Sequence, residues 1–327
     1  LRVGIGEGTL RDAIVWAFLA EGEVEFGDDI GIVDRESYEE KVSHVQRAYD
    51  LTNDFAEVAK RAAEGIPELE KVEIEVFRPL KVMLAQKVAG VYEAFEKVGS
   101  PAILEYKYDG FRVQIHRKDD DIQVYTRRLE NVTEQFPDIV DAVRDHVGSK
   151  EFIIEGEAVG YDKDTKEYLP FQKISQRIRR KYDIKEMAQD YPVEVDIFDI
   201  LYLEGKNYLD RPFEERRESI ERIVSEKERI IRPSQMIRTE SKEEAATFYK
   251  DALDQGFEGA MAKKLDAKYK PGSRVGYMVK LKEVMETLDL VIIGGEWGTG
   301  KRSGWITSFI LGCRDGDEYM EVGKVGT

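Results

Sequence analysis

The chain has 327 residues, a formal net charge of −16 at pH 7 and one cysteine, Cys313. The length allows about two to three domains, no apolar run reaches the ~18 residues of a membrane span, and one cysteine excludes an internal disulfide framework. The excess of acidic residues argues against nucleic-acid binding, since phosphate contacts require Lys and Arg. Basic stretches at 173–181 and 299–303 argue for it locally. We expect a cytoplasmic protein with no membrane partner, and its 35% of charged residues is compatible with a thermophile.

Residues 1–66 have the pattern of an all-helical region. Thr9 and Asp12 have the spacing of a capping box, and a second helix is predicted to begin near Asp34. A Gly-Ile-Pro segment at 65–67 ends the region. The sequence opens inside this pattern, so we expect that an earlier helical portion precedes it.

From about residue 72 the pattern changes to mixed α and β. Alternating apolar residues predict strands at 102–107, 111–117, 122–126, 152–160, 193–203, 258–264 and 276–283. Helices are predicted at 87–98, 136–147, 211–228 and 242–255. Many of the strands are linked as hairpins, so the pattern favours an α+β domain with antiparallel sheets.

After Glu286 the predicted elements are short strands joined by glycine-rich turns. They lie at 288–293, 305–312 and 318–322 and indicate the start of a small β-barrel, which about 40 residues are too few to close. GEWGTGK at 295–301 resembles a phosphate-binding P-loop, but Arg302 stands where a Ser or Thr is required and a strand follows instead of a helix. We interpret it as a basic loop.

The histidines offer neither a metal site nor a catalytic pair. His44 and His146 lie on predicted helices, and His116 ends a predicted strand, without metal-ligand spacing or a nearby nucleophile. Structural or surface roles are predicted for all three.

Lys107 interrupts two otherwise buried strands in the stretch EYKYDGFRVQIH at 105–116. Lysine is depleted in strands and seldom buried alone, so its side chain points either to solvent or into a site. A lysine amine is a nucleophile when it is neutral, which requires a nearby cation or a desolvated site. Around it, Gly110 permits a tight turn, Arg112 could grip a phosphate, and Asp109 could orient a ribose or a metal.

Further candidate residues follow on predicted strands: Glu155, Glu157, Phe198, Glu258, Lys263, Lys280 and Lys282. Lys280 and Lys282 share one face of a strand and repel each other unless an anion lies between them. Each residue also has a plainer interpretation, as an exposed charge on an edge strand or, for Phe198, as a core side chain. Their order along the chain favours a common site.

The chain resembles the motif series of the covalent nucleotidyltransferases, which include ATP-dependent DNA ligases, RNA ligases and mRNA capping enzymes. The matching motifs are Lys107-Tyr-Asp109-Gly110-Phe-Arg112, Glu157, Phe198, Glu258-Gly259-x-Met-x-Lys263 and Lys280-x-Lys282. The stretches TRRLENVTEQFPD and LPFQKISQRIRRK resemble the archaeal, Thermococcus-like DNA ligases especially. This resemblance implies the end of a helical DNA-binding domain at 1–70, an adenylation domain at 71–286 and a partial OB-fold domain at 287–327.

The resemblance implies that Lys107 attacks the α-phosphate of ATP and carries AMP, which passes to the 5′-phosphate of a nick before the 3′-hydroxyl displaces it. The nucleotide-binding residues it implies are Glu105, Lys107, Arg112, Arg127, Glu157, Phe198, Lys280 and Lys282. Glu157 and Glu258 would hold a divalent ion, Mg²⁺ or alternatively Mn²⁺. The roles of Asp109 and Lys263 stay open.

An acidic protein can hold DNA if one concave surface is basic. The candidate DNA-binding residues are Arg127, Arg177, Arg179, Arg180, Lys181, Lys301 and Arg302. The implied partner is nicked duplex DNA, in replication, repair and recombination. A sliding clamp is a candidate second partner, and a monomer is expected.

Three other interpretations stay open: a GTP-dependent mRNA capping enzyme, an RNA ligase and a non-catalytic DNA-binding relic. The helical segment fits the first two less well, and the retained lysines and Glu258 argue against the third. The basic motif with which these ligases close over ATP does not occur before Thr327, so we expect a fragment of a longer protein. Whether NAD or ADP replaces ATP is open.

Overall fold

The computed structural model describes residues 6–20, 24–26, 30–32, 34–180, 182–282, 288–316 and 318–326, in two compact units, Leu1–Glu283 and Val284–Thr327. The first unit begins with α1 (Glu7–Phe18), β1 (Val24–Phe26), β2 (Ile30–Ile32), α2 (Arg35–Thr52), α3 (Phe55–Glu64) and α4 (Ile66–Glu70). It continues with β3 (Leu84–Val88), α5 (Val91–Val98), β4 (Ala102–Lys107), β5 (Phe111–Lys118), β6 (Asp121–Thr126), α6 (Pro137–His146), β7 (Glu151–Gly160), α7 (Phe171–Ile178) and α8 (Ile184–Asp190). It ends with β8 (Val193–Leu203), β9 (Lys206–Asn207), α9 (Phe213–Ile223), β10 (Ile231–Pro233), β11 (Met236–Thr239), α10 (Lys242–Asp254), β12 (Gly259–Lys264) and β13 (Arg274–Lys282).

The described N-terminal residues are mostly helical but include a pair of antiparallel strands. Helix α2 begins where the Asp34 side chain accepts a hydrogen bond from the backbone N–H of Ser37 at 3.1 Å, as predicted. Helix α1 already begins at Glu7, so the predicted capping box falls inside the helix and is wrong. The antiparallel strands β1 and β2 also contradict an all-helical region, because their β-branched and aromatic residues favour strand pairing.

Two sheets form the rest of the first unit. The first sheet has the strand order β11-β4-β12-β13-β3, and the second has the order β10-β8-β7-β5-β6, with β9 beside β8. Neighbours are antiparallel except at two edges, where β3 pairs with β13 and β10 with β8 in parallel. This arrangement confirms the predicted α+β class with antiparallel sheets.

Several elements differ from the predicted ones. The segment predicted as a helix from residue 87 is strand β3 up to Val88, and helix α5 begins only after Gly90, because pairing with β13 outweighs local propensity. Helix α9 is shorter than the predicted 211–228. Elements α7, α8, β10 and β11 have no counterpart among the predicted ones.

One face of each sheet packs against helices. The first sheet packs alternate residues such as Leu104, Ala262 and Val279 against helices α5 and α10. The second sheet packs Val113 and Ile154 into the core that α6 and α7 cover. Parts of the opposite faces line a cavity of about 1540 Å³, where the alternation of the strands places polar side chains, and the rest of those faces is buried in other clusters.

The second unit contains β14 (Val291–Trp297), a short 3₁₀ helix (Gly300–Arg302), β15 (Ile306–Asp315) and β16 (Glu318–Gly326). The strands pair antiparallel in the order β14-β15-β16, and the described residues form no closed barrel. A strand follows GEWGTGK, as predicted, but residues 295–297 of this stretch already belong to β14, so the loop is shorter than predicted. Within the described residues of both units, no helix has the length and apolar character needed to cross a membrane.

Candidate active site

The first sheet aligns its lysines through strand register. Gly259 of β12 lies opposite Lys107 of β4 on one side and opposite Lys282 of β13 on the other. Two residues further along, Met261 lies between Glu105 and Lys280. Because side chains two apart point to the same face of a strand, these groups all face the cavity, and all but Gly259 line it.

Two glycines allow the strands to approach each other at this point. Gly259 has φ +135°, and a Cβ atom there would lie 2.2 Å from the carbonyl oxygen of Leu281. A Cβ atom on Gly110 would lie 2.3 Å from the carbonyl oxygen of Ala158. Both distances are impossible for a real side chain. Glycine at 259 therefore lets β12 and β13 approach within the first sheet, and glycine at 110 brings the turn after Lys107 beside the second sheet.

Glu258 links the two lysines that flank Gly259. Its carboxylate lies 2.7 Å from Lys107 Nζ and also pairs with Lys282, and its backbone N–H donates to the carbonyl of Lys107 at 2.9 Å. Burial alone would raise the pKa of Glu258, but hydrogen bonds from the two lysines lower it below its ordinary value. The carboxylate is therefore charged and holds both amines near one point.

Lys280 has no ion pair with a described carboxylate. Burial lowers its pKa, and the neighbouring Lys282 and Lys107 lower it further. An anion beside Lys280 would remove this repulsion, so the face is electrostatically suited to a phosphate group.

The second sheet contributes Arg112, Glu157 and Phe198 to the same cavity. Arg112 and Glu157 are direct cross-strand neighbours. Burial raises the pKa of the Glu157 carboxyl to about 7, and Glu258 and Asp196 raise it against the opposing effect of Lys107 and Arg112. A carboxylate that is costly to ionise is well placed to receive a cation.

The far end of the cavity is closed by a buried ion-pair network. Glu105 accepts from the Ser234 hydroxyl at 2.8 Å, lies 3.4 Å from Arg217 and pairs with Lys263. The Phe198 ring lies nearby, with the Lys263 amine 5.2 Å from its centroid. This end is therefore an aromatic surface beside a fully paired carboxylate.

The chain was compared with known proteins. A sequence model of the ATP-dependent DNA ligase domain matches residues 82–282. The chain belongs to this family. It is 51% identical to a DNA ligase of Nanoarchaeum equitans and 44% identical to one of Thermococcus onnurineus, each over all of this chain and 55% of the relative. The resemblance to archaeal, Thermococcus-like DNA ligases is thus confirmed, and the chain spans about half the length of these relatives.

A solved structure of a Lig E DNA ligase has the same fold, with a TM-score of 0.51 at 16% identity, covering 74% of this chain and 84% of that one. At this identity the likeness supports the fold alone.

In this ligase-family chain, Asp109 and Lys263 acquire structural roles. The Asp109 carboxylate accepts a hydrogen bond from the backbone N–H of Phe171 at 3.3 Å, which ties the turn after Lys107 to helix α7. Lys263 is buried, and its amine lies between Glu105 and the Phe213 ring, 4.2 Å from the ring centroid. Lys263 thus neutralises Glu105.

The prediction that Arg177 belongs to the DNA-binding residues is wrong. Only 1% of its side chain is exposed, and its guanidinium binds both oxygens of Asp138 at 2.7 and 2.9 Å and the carbonyls of Gln135 and Tyr191. It cannot contact DNA because helix α7 turns it into the core.

The remaining members of that set divide between the two units. Arg127 and Arg179 are exposed and line the rim of the cavity, and Arg180 is exposed on the same stretch. Arg302 is exposed in the second unit. Lys181 and the Lys301 side chain lie outside the described residues.

Sequence reasoning did not assign roles to the groups that hold Arg112. Its guanidinium pairs with Glu155, which is fully buried and also contacts Gln114 and Tyr269. The sequence signal that could have found this pair is Glu155 itself, a second glutamate on the same strand face as Glu157. His116 is buried as well, which confirms a structural role for that histidine.

Proposed function

We propose that this chain performs the nucleotidyl transfer of an ATP-dependent DNA ligase, with Lys107 as the nucleophile. The observation that carries the proposal is the register of Lys107, Gly259 and Lys282, which places two amines and the Glu258 carboxylate together at one wall of the cavity. Lys280 adds a cationic group without an ion-pair partner among the described residues. An α-phosphate is the anion that this arrangement fits.

In the first step, the neutral amine of Lys107 attacks the α-phosphorus of ATP. A phosphorus–nitrogen bond forms, the bond to the bridging oxygen of the β-phosphate breaks, and pyrophosphate leaves. The nitrogen becomes positively charged as it attacks, and it gives one of its two protons to solvent. Lys280 and Lys282 stabilise the charge that develops on the non-bridging oxygens. Lys282 also competes for Glu258, so that the carboxylate does not hold Lys107 alone.

The nucleoside occupies the other end of the cavity in this proposal. Adenine stacks on Phe198 beside Glu105, and Arg112 and Arg127 reach the sugar and phosphate. The domain assignment that goes with it is a DNA-binding segment at 1–70, an adenylation domain at 71–286 and part of an OB-fold domain at 287–327.

Glu157 and Glu258 fit a divalent ion. Mg²⁺ is usually held by one or two carboxylates together with substrate phosphates, and no cluster of three or more metal-ligating side chains occurs in the described residues. The raised pKa of Glu157 favours a cation next to it. When bound, the ion neutralises phosphate charge.

The polynucleotide substrate in this proposal is nicked duplex DNA. AMP passes from Lys107 to the 5′-phosphate, and the 3′-hydroxyl then attacks that phosphate and releases AMP. Exposed arginines at the cavity rim, Arg127 and Arg179, would contact the DNA backbone without reading sequence. A sliding-clamp partner and a monomeric state stay predictions.

Nick sealing by the full-length protein tests this proposal. The substrates are duplexes with a DNA nick or an RNA nick and an RNA with a 5′-diphosphate end, each with ATP or GTP. Sealing of the DNA nick with ATP is expected. Sealing of the RNA nick alone would favour an RNA ligase. Transfer of GMP to the RNA end would favour a capping enzyme, and DNA binding without any nucleotidyl transfer would favour a non-catalytic relic.

A further inference from the structure

Residues 77–83 form an irregular segment, here called the strap, that lies along the polar face of β5. Its buried backbone groups require partners, and β5 side chains supply them. The His116 ring accepts from the backbone N–H of Phe77 at 2.9 Å. The Gln114 amide accepts from the N–H of Leu80 at 2.8 Å and donates to the carbonyl of the same residue at 3.2 Å.

The direction of these hydrogen bonds is fixed by the strap. The Phe77 N–H can only donate, so Nδ1 of His116 accepts, and Nε2 carries the proton and donates to Gln114 Oε1 at 2.9 Å. The Gln114 nitrogen must then be the donor, and it reaches Glu155 Oε1 at 3.2 Å. Burial lowers the pKa of His116 to about 3, which keeps the ring neutral as this arrangement requires.

Tyr269 completes the surroundings of the same carboxylate. Its hydroxyl donates to Glu155 Oε2 at 2.8 Å, accepts from the N–H of Met83 at 3.0 Å and lies 3.3 Å from Arg112 Nη2. Arg112 Nε donates to Glu155 Oε1 at 3.3 Å, and Nη1 to the Met83 carbonyl at 3.4 Å. The guanidinium therefore donates to the Glu155 carboxylate and to the strap. Gln114 and Tyr269 in turn bind both of these partners.

We propose that Gln114 and Tyr269 are positioning residues for Arg112, which they orient toward the nucleotide through Glu155 and the strap. The inference rests on the proposed function, in which Arg112 contacts ATP. Arg112 and the strap residue Met83 line the cavity, whereas Gln114, Tyr269 and Glu155 do not, so these three residues act on the nucleotide only through the groups that they hold in place.

The test is the dependence of lysyl-AMP formation on ATP concentration in the full-length protein. Gln114→Glu keeps the shape of the side chain but sets a second carboxylate against Glu155 and the Leu80 carbonyl. Tyr269→Phe removes only the hydroxyl and carries the test if Gln114→Glu is not recovered folded. Each substitution weakens a hydrogen bond to the charged Glu155 carboxylate. We therefore expect KM for ATP to rise about tenfold, while the maximal rate changes less than about threefold.

The matched control is Arg117→Gln on the same strand. Arg117 is also buried, but it binds the carbonyls of Asp119, Val143 and Val147 away from the cavity. The Arg117→Gln substitution should lower the melting temperature and leave KM for ATP unchanged. In an Arg112→Ala background, Gln114→Glu and Tyr269→Phe should add no further rise in KM.

An unchanged KM in folded Tyr269→Phe, or effects that multiply with Arg112→Ala, would overturn the positioning role. A wild-type protein that forms no lysyl-AMP overturns the proposed function instead. The two failures are therefore distinguishable.

Discussion

The two sheets contribute opposite kinds of surface to one cavity. The first sheet brings Lys107, Lys280 and Lys282 together with Glu258, an excess of positive charge. On the second sheet, Arg112 is paired within the protein with Glu155. The difference separates two tasks: the lysine wall is completed by a bound anion, whereas Arg112 on the opposite wall is held in place without ligand and gives orientation.

The largest expected effect is on the lysine wall. Lys280→Ala should lower the rate of lysyl-AMP formation by about 100-fold to 1000-fold, because it removes a cation aimed at the α-phosphate. The free energy of unfolding of this variant should differ from that of the wild type by less than about 0.5 kcal/mol, since Lys280 has no ion pair with a described residue to lose. Single-turnover kinetics and urea titration measure the two quantities. A large loss of stability with an intact rate would contradict the division between the walls.

The second sheet should respond in the opposite way. Glu155→Gln should lower the free energy of unfolding by about 3 kcal/mol, because it leaves the Arg112 guanidinium without its counter-ion. Glu151→Gln on the same strand is the control, since its pair with Lys118 is long, at 3.8 Å, and partly exposed, and should cost less than about 1 kcal/mol. Equal losses in the two variants would show that the buried pair is not special.

His116 gives this wall a pH dependence. Its pKa is lowered to about 3 in the folded state, so the unfolded chain binds its proton first and stability falls as the pH drops from about 6.5 toward 3. Between pH 7 and pH 5 the wild type should lose ~2 kcal/mol more than His116→Gln. Urea titrations of both proteins at each pH give this difference, in which the other titrating groups cancel. Parallel pH curves would rule out a buried neutral ring.

The smallest effect is expected at the rim. Arg179→Ala should reduce the salt dependence of DNA binding by about one phosphate contact, because Arg179 is exposed beside the cavity. Arg177→Ala should leave that slope unchanged and lower the melting temperature instead. Fluorescence anisotropy at several salt concentrations distinguishes the two. A reduced slope in Arg177→Ala would restore it to the DNA-binding surface.

The lysine wall could be predicted from sequence because strand alternation is local. Lys280 and Lys282 share a face in any strand, and the antiparallel pairing around Gly259 then brings Lys107 beside them. Arg177 could not be predicted, because its burial depends on Asp138, 39 positions away. The strap also escaped prediction, since its backbone is paired by side chains and leaves no periodic pattern.

The central claim is that Lys107 carries the nucleotide. The most direct test is the intact mass of the full-length protein after incubation with Mg²⁺ and ATP, followed by peptide mapping, beside Lys107→Ala. The account predicts a mass gain of one AMP with ATP and none with GTP, located on the peptide that contains Lys107 and absent in the variant. AMP on another residue, a gain of GMP, or no gain in the wild type would contradict it.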